Sequence, residues 1–167
     1  MEEPVVVRIA EFYAGRGQGL MRTYALGSCV AIILYDPEKK VGALSHTMLP
    51  EPQVSMGEGC QGPLKNPAKF VDTAIPAMLQ EMRKLGASQV RVVAKLVGGA
   101  RMFPGIPSPE AANIGERNAD RARRTLGDLG VPLVAEDTGG THGRSVLFNL
   151  KDGTVVISSL KVGERTL

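Results

Sequence analysis

The stretch Cys29-Val30-Ala31-Ile32-Ile33-Leu34-Tyr35-Asp36-Pro37-Glu38-Lys39-Lys40-Val41-Gly42-Ala43-Leu44-Ser45-His46-Thr47-Met48 decides how this chain folds. Its two apolar runs, 29–35 and 41–48, flank a charged segment that opens with Asp36-Pro37, a pair suited to a turn, so the stretch reads as an antiparallel hairpin. If Tyr35 or Asp36 pairs with Lys40 or Val41, opposed residues have numbers that sum to about 75 or 76, and Cys29 with His46 gives 75. The hairpin then sets a thiol opposite an imidazole, or nearly so, with Cβ atoms roughly 4.5–5.5 Å apart. A slip of one residue would send the two side chains to opposite faces, so the turn decides the chemistry.

On the N-terminal side, residues 5–10 and 20–25 also read as strands, which makes the first third β-rich. Beyond the hairpin, residues 51–67 shift to Pro, Gly, Ser and Gln and read as a long loop, a candidate mobile segment. Phe70, Val71, Ala74, Ile75, Met78, Leu79, Met82 and Leu85 recur at three- and four-residue spacing, the stripe of an amphipathic helix that Gly86 ends. Pro76 fits that helix only in its first turn or at a kink. Residues 90–97 then form a buried strand broken by Gly98-Gly99, and a second helix covers 115–129, with Gly130 just past its end. Strands 133–136, 145–150 and 154–160 follow, the last two joined at Asp152-Gly153. This order lacks the regular strand–helix alternation of a doubly wound sheet, so the expected fold class is α+β, with mixed sheets in layers.

At 167 residues, with 43% hydrophobic and 22% charged residues, the chain suits one globular domain, 1–167, and is unlike a disordered one. The longest uncharged stretch, 23–35, is thirteen residues, too short for the roughly 20 apolar residues of a membrane span. The acidic start, Met1-Glu2-Glu3-Pro4, does not resemble a secretory signal, so the expected compartment is the cytoplasm, where Cys29 and Cys60 would be free thiols. The net charge of +3 is spread along the chain, and only Arg121, Arg123 and Arg124 cluster, as on a solvated helix face. With 4% aromatic residues and no Trp, nucleic acid is not an expected partner. The pairs Gly98-Gly99 and Gly139-Gly140 lack the spacing of a phosphate-binding loop.

Chemistry singles out the hairpin. An imidazole beside a thiol can take its proton and leave a thiolate–imidazolium pair, a nucleophile with its base. Gly27 lets the backbone before Cys29 approach a substrate closely, so N–H groups near Ser28 and Cys29 could hold an oxyanion. Thr23, six residues before Cys29, could orient His46 through its hydroxyl. Plainer readings stand beside these: Cys29 as a small core residue, His46 as a structural histidine, Thr23 as an ordinary strand residue. Cys60 lies in the Gly-rich loop and His142 in the 139–143 turn. No spacing among the two cysteines and two histidines supports zinc.

Leu26-Gly27-Ser28-Cys29-Val30, followed by Gly42 and His46-Thr47-Met48-Leu49-Pro50, resembles the CheD family, the chemoreceptor glutamine deamidases of bacterial and archaeal chemotaxis. The likeness continues through Lys69-Phe70-Val71-Asp72-Thr73-Ala74, Ala94-Lys95-Leu96-Val97-Gly98-Gly99-Ala100-Arg101-Met102-Phe103 and Asn113-Ile114-Gly115-Glu116-Arg117-Asn118. It ends at Glu136-Asp137-Thr138-Gly139-Gly140 with Gly143-Arg144-Ser145. The resemblance implies a three-layer α/β/β sandwich with two main helices, similar to bacterial cysteine deamidase toxins, and a catalytic triad of Cys29, His46 and Thr23. It implies conversion of receptor Gln side chains to Glu in an open groove suited to a helix, with hydrolysis of receptor glutamyl methyl esters as a second activity. It also implies a CheC-like phosphatase as a partner and no metal or organic cofactor. The long 51–67 loop with Cys60 and the basic 121–124 stretch depart from the family pattern and bear on partner preference. The alternative is a non-catalytic adaptor that holds receptor helices or a CheC-like phosphatase in the same groove. A small-molecule amidase is disfavoured, since no residue set suggests a clamp for a charged ligand.

Overall fold

A computed structural model of the chain describes residues 2–52, 65–105 and 113–167. The hairpin is its centre: β4 (Val30–Asp36) and β5 (Val41–Thr47) pair antiparallel, and every residue of both strands is buried. β5 also pairs with β2 (Glu11–Arg16), and β4 pairs with β6 (Val93–Gly98), which runs parallel to β7 (Leu133–Thr138). This central sheet has the order β2-β5-β4-β6-β7. The second sheet, in the order β1-β3-β8-β9-β10, is built from β1 (Val5–Val6), β3 (Leu20–Leu26), β8 (Arg144–Asn149), β9 (Val155–Ser159) and β10 (Gly163–Thr166). The helices are α1 (Val71–Lys84) and α2 (Ile114–Asp128).

Alternation along β4 explains the layers. Val30, Ile32 and Leu34 pack with Ala74, Ile75, Met78 and Met82 of α1 and Ala119, Ala122 and Leu126 of α2. Ala31, Ile33 and Tyr35 face the other way, into a core shared with Met21, Leu26, Val146 and Phe148 of the second sheet. Helices thus cover one face of the central sheet and the second sheet covers the other, as the α+β reading expects. Among the described residues no helix is long and apolar enough to cross a membrane.

Several elements depart from the sequence reading. The expected strand 5–10 is only Val5–Val6, and the chain then enters β2, whose pattern Gly15 and nearby glycines obscure. β10 is short, polar and fully exposed, so no apolar period announces it. The strand expected from residue 90 starts at Val93, because Val90 sits on a 3₁₀ turn, 91% exposed. Pro76 is neither in the first turn nor buried: it is an interior residue of α1 on the helix's exposed face.

Candidate active site

The turn between β4 and β5 sets the register. Pro37–Lys40 form a four-residue connection: the Glu38 and Lys39 N–H groups donate to Asp36 Oδ1 at 3.1 and 3.2 Å, and Lys40 adopts φ 51°. Asp36 therefore pairs with Val41, opposed residues sum to 77, and His46 stands opposite Ala31. Cys29, just outside β4, packs into the same inter-sheet core as Ala31. The direct opposition that a four-residue turn one position earlier would give is thus a diagonal one, but the shared face is kept.

His46 is 1% exposed and its Nδ1 lies 2.7 Å from Thr23 Oγ1, across the gap between the sheets. The Thr23 hydroxyl also lies 2.7 Å from the carbonyl oxygen of Val7. A carbonyl can only accept, so the one hydroxyl hydrogen goes to Val7, and Thr23 Oγ1 accepts from Nδ1–H. This fixes the neutral tautomer and leaves Nε2 with a free lone pair. Nε2 is buried with no hydrogen-bond partner among the described residues, the Cys29 thiol included. Burial pushes the His46 pKa below its ordinary 6.5. Burial likewise pushes the Cys29 thiol up, against a smaller opposing pull from its own backbone N–H. Both shifts favour neutral partners, a thiol and a free imidazole, in place of the ion pair expected from the sequence.

The segment 27–29 is held by its carbonyls. Gly27 O accepts from Ala100 N, Ser28 O from Asn118 Nδ2 and Cys29 O from Gly99 N, each at 2.9 Å. In a trans peptide N–H points opposite to C=O, so the N–H groups of Ser28 and Cys29 face away from this scaffold, and no other described residue takes them. Two features let the loop sit there. A bulge in β3 between Thr23 and Leu26, with Ala25 at φ 56°, redirects the chain into it. Gly98, at φ 110°, passes so close that a Cβ there would stand 2.4 Å from Cys29 O. The glycine pair read from the sequence as a strand breaker is thus a point of close approach.

Sequence reasoning missed Asn118 and the Val7 carbonyl. Asn118 had a signal, an amide in the buried stripe Gly115, Ala119, Ala122 and Leu126 of α2. The Val7 carbonyl had none, since backbone groups carry no sequence mark. Cys60 and most of the 51–67 loop, residues 53–64, lie outside the described residues. His142 lines a separate cavity of about 560 Å³ with Tyr24, Met102 and Leu160, which includes neither Cys29 nor His46. Among the described residues no group of His, Cys, Asp and Glu is arranged to hold a metal. Arg121 is paired with Asp72 and Glu51, and Arg123 with Glu136 and Asp120, so this stretch of α2 is largely neutralised.

The family model described as CheD chemotactic sensory transduction matches residues 48–159. The chain belongs to the CheD family. It is 49% identical over 93% of its length to a protein of Pyrococcus abyssi named probable chemoreceptor glutamine deamidase CheD, covering 91% of that chain. A protein of Pyrococcus horikoshii with the same name is 48% identical over 96% of this chain and 94% of its own. The chemoreceptor glutamine deamidase CheD of Thermotoga maritima is 38% identical over the same shares. The family match begins after the hairpin, whereas these CheD relatives align over spans too long to start after Thr23.

Proposed function

We propose that this chain is a chemoreceptor glutamine deamidase, a protein-glutamine amide hydrolase of chemotaxis with Cys29 as nucleophile, His46 as base and Thr23 as the group that orients it. The observation that carries the reading is the Thr23–His46 pair, which presents a bare Nε2 on the face that holds Cys29. The names of its relatives supply the substrate: receptor glutamine. As Cys29 Sγ bonds to the amide carbon, its proton passes to His46 Nε2, and the oxyanion is met by the N–H groups of Ser28 and Cys29, with Gly27 leaving the approach open. Nε2 then gives the proton to the nitrogen, ammonia leaves, and a thioester remains. Water loses a proton to Nε2, attacks the thioester, and Glu departs as Cys29 regains its hydrogen. A glutamyl methyl ester passes through the same acyl intermediate with methanol as leaving group, so esterase activity is part of the proposal. So are a helical receptor segment as substrate, a CheC-like phosphatase as partner, a cytoplasmic location, one domain over 1–167, and an architecture shared with cysteine deamidase toxins.

The test is mass spectrometry of receptor cytoplasmic fragments incubated with the protein. Wild type should convert defined Gln residues to Glu, and Cys29→Ala and His46→Ala should each abolish conversion while still binding the fragment. Conversion that persists in Cys29→Ala would reject the nucleophile, and binding without conversion in the wild type would leave the adaptor.

A further inference from the structure

The buried face of α2 consists of Gly115, Asn118, Ala119, Ala122 and Leu126, and Asn118 is fully buried. Its Nδ2 donates to Ser28 O and to Met48 O, each at 2.9 Å. Both acceptors are carbonyls, so only the NH₂ end of the amide can face them, and the orientation is not open to a flip. Ser28 precedes the nucleophile and Met48 follows the base by two residues, so one side chain ties together the two segments that carry the reacting groups. The peptide whose C=O it holds is the one whose N–H belongs to Cys29. Its remaining atom, Oδ1, is buried with no partner among the described residues. The amide thus satisfies two carbonyls at the cost of one unpaired oxygen, on a buried helix face whose other residues are Gly, Ala and Leu.

We propose that Asn118 is a positioning residue for acyl transfer: through Ser28 and Met48 it aims the Cys29 N–H at the developing oxyanion and sets the separation between Cys29 and His46. The proposal rests on the mechanism above. It differs from a packing role in what it moves. Losing the clamp should leave receptor binding intact and slow only the chemical step, because the donors and the base are out of place when charge develops.

Two variants test it. Asn118→Leu keeps the volume and removes both the clamp and the orphan oxygen, whereas Asn118→Asp keeps the shape and turns an oxygen toward two carbonyls. On a receptor fragment, both should lose kcat by roughly 100-fold with KM within about twofold of wild type. Asn118→Leu also strands the Ser28 and Met48 carbonyls, so its melting temperature should fall, and kcat is taken per folded molecule. A folded Asn118→Leu with wild-type kcat, or a loss confined to KM, overturns the proposal. A second arm needs no receptor: iodoacetamide alkylation of Cys29 in wild type, His46→Ala, Asn118→Leu and the double variant. The effect of His46→Ala should shrink toward none in the Asn118→Leu background, and an equal effect in both backgrounds overturns the positioning role. If Cys29-dependent deamidation is not observed in the wild type, the functional reading falls, and the alkylation cycle still decides Asn118.

Discussion

The Thr23 hydroxyl has one hydrogen and two partners, and this shortage is what prepares His46. A carboxylate in its place would stabilise an imidazolium, but a hydroxyl that spends its hydrogen on Val7 O only holds the ring in one tautomer. Thr23→Val keeps the shape, strands Nδ1–H and the Val7 carbonyl, and should cost about 1–3 kcal/mol of stability, read by urea unfolding. It should also lower kcat about 10- to 100-fold, and Thr23→Ser should recover most of both. The low pKa of His46 has a thermodynamic counterpart. Its folded-state value lies below the ordinary 6.5, so as pH falls below 6.5 the unfolded chain takes up a proton that the folded chain refuses. Stability should therefore decline with acidification through that window until the folded value is reached, and His46→Gln should flatten this part of the urea-midpoint profile. Cys29 runs the other way, with its thiol held above the ordinary 9.0, so iodoacetamide labelling of the resting protein should have its midpoint above that pH. A midpoint well below it would restore the ion pair.

At the scale of elements, the bulge in β3 places a non-glycine residue, Ala25, in the left-handed region to steer the chain toward Cys29. That conformation costs an L-residue about 1–2 kcal/mol, so Ala25→Gly should be neutral to stabilising in thermal unfolding while activity is kept. A clear loss of stability would show that Ala25 is not under this strain. Here the reach of sequence reading is plain. The β4–β5 hairpin and both helices were legible because burial on one or both faces writes a strong period into Val30, Ile32, Leu34 or Met78 and Met82. The register was legible only to within a residue or two, since the four-residue turn begins after Asp36 and not after Tyr35, a choice set by the Asp36 and Lys40 backbone that no pattern records. β10 was silent because Gly163–Thr166 buries nothing. Thr23 and His46 could be nominated from the sequence, but the direction of the hydrogen between them needed the Val7 backbone, a partner with no side-chain signature.

For the molecule as a whole, His46, the proposed base, and the Thr23 hydroxyl belong to different sheets, so their 2.7 Å separation depends on how the sheets pack. Gly42 of β5 sets part of that spacing: a Cβ there would lie 2.7 Å from the Phe148 ring of the facing sheet. Gly42→Ala should cost about 1–3 kcal/mol by overpacking and lower the activity of each folded molecule. Met78→Ala, on the helix side of the central sheet, should cost about 2–5 kcal/mol and leave the activity of each folded molecule unchanged. Comparing turnover normalised to folded fraction separates the two, and equal turnover in both would show that the sheet gap tolerates a methyl group. The same division has a consequence for the chain as it is made. Thr23, Cys29 and His46 are all translated early, yet β3 takes its place in the sheet against β8, and the loop before Cys29 is held by Gly99, Ala100 and Asn118. A nascent chain on the ribosome therefore carries these three side chains long before the segments that align them exist, and the proposed deamidation of neighbouring glutamines is withheld until the late strands arrive.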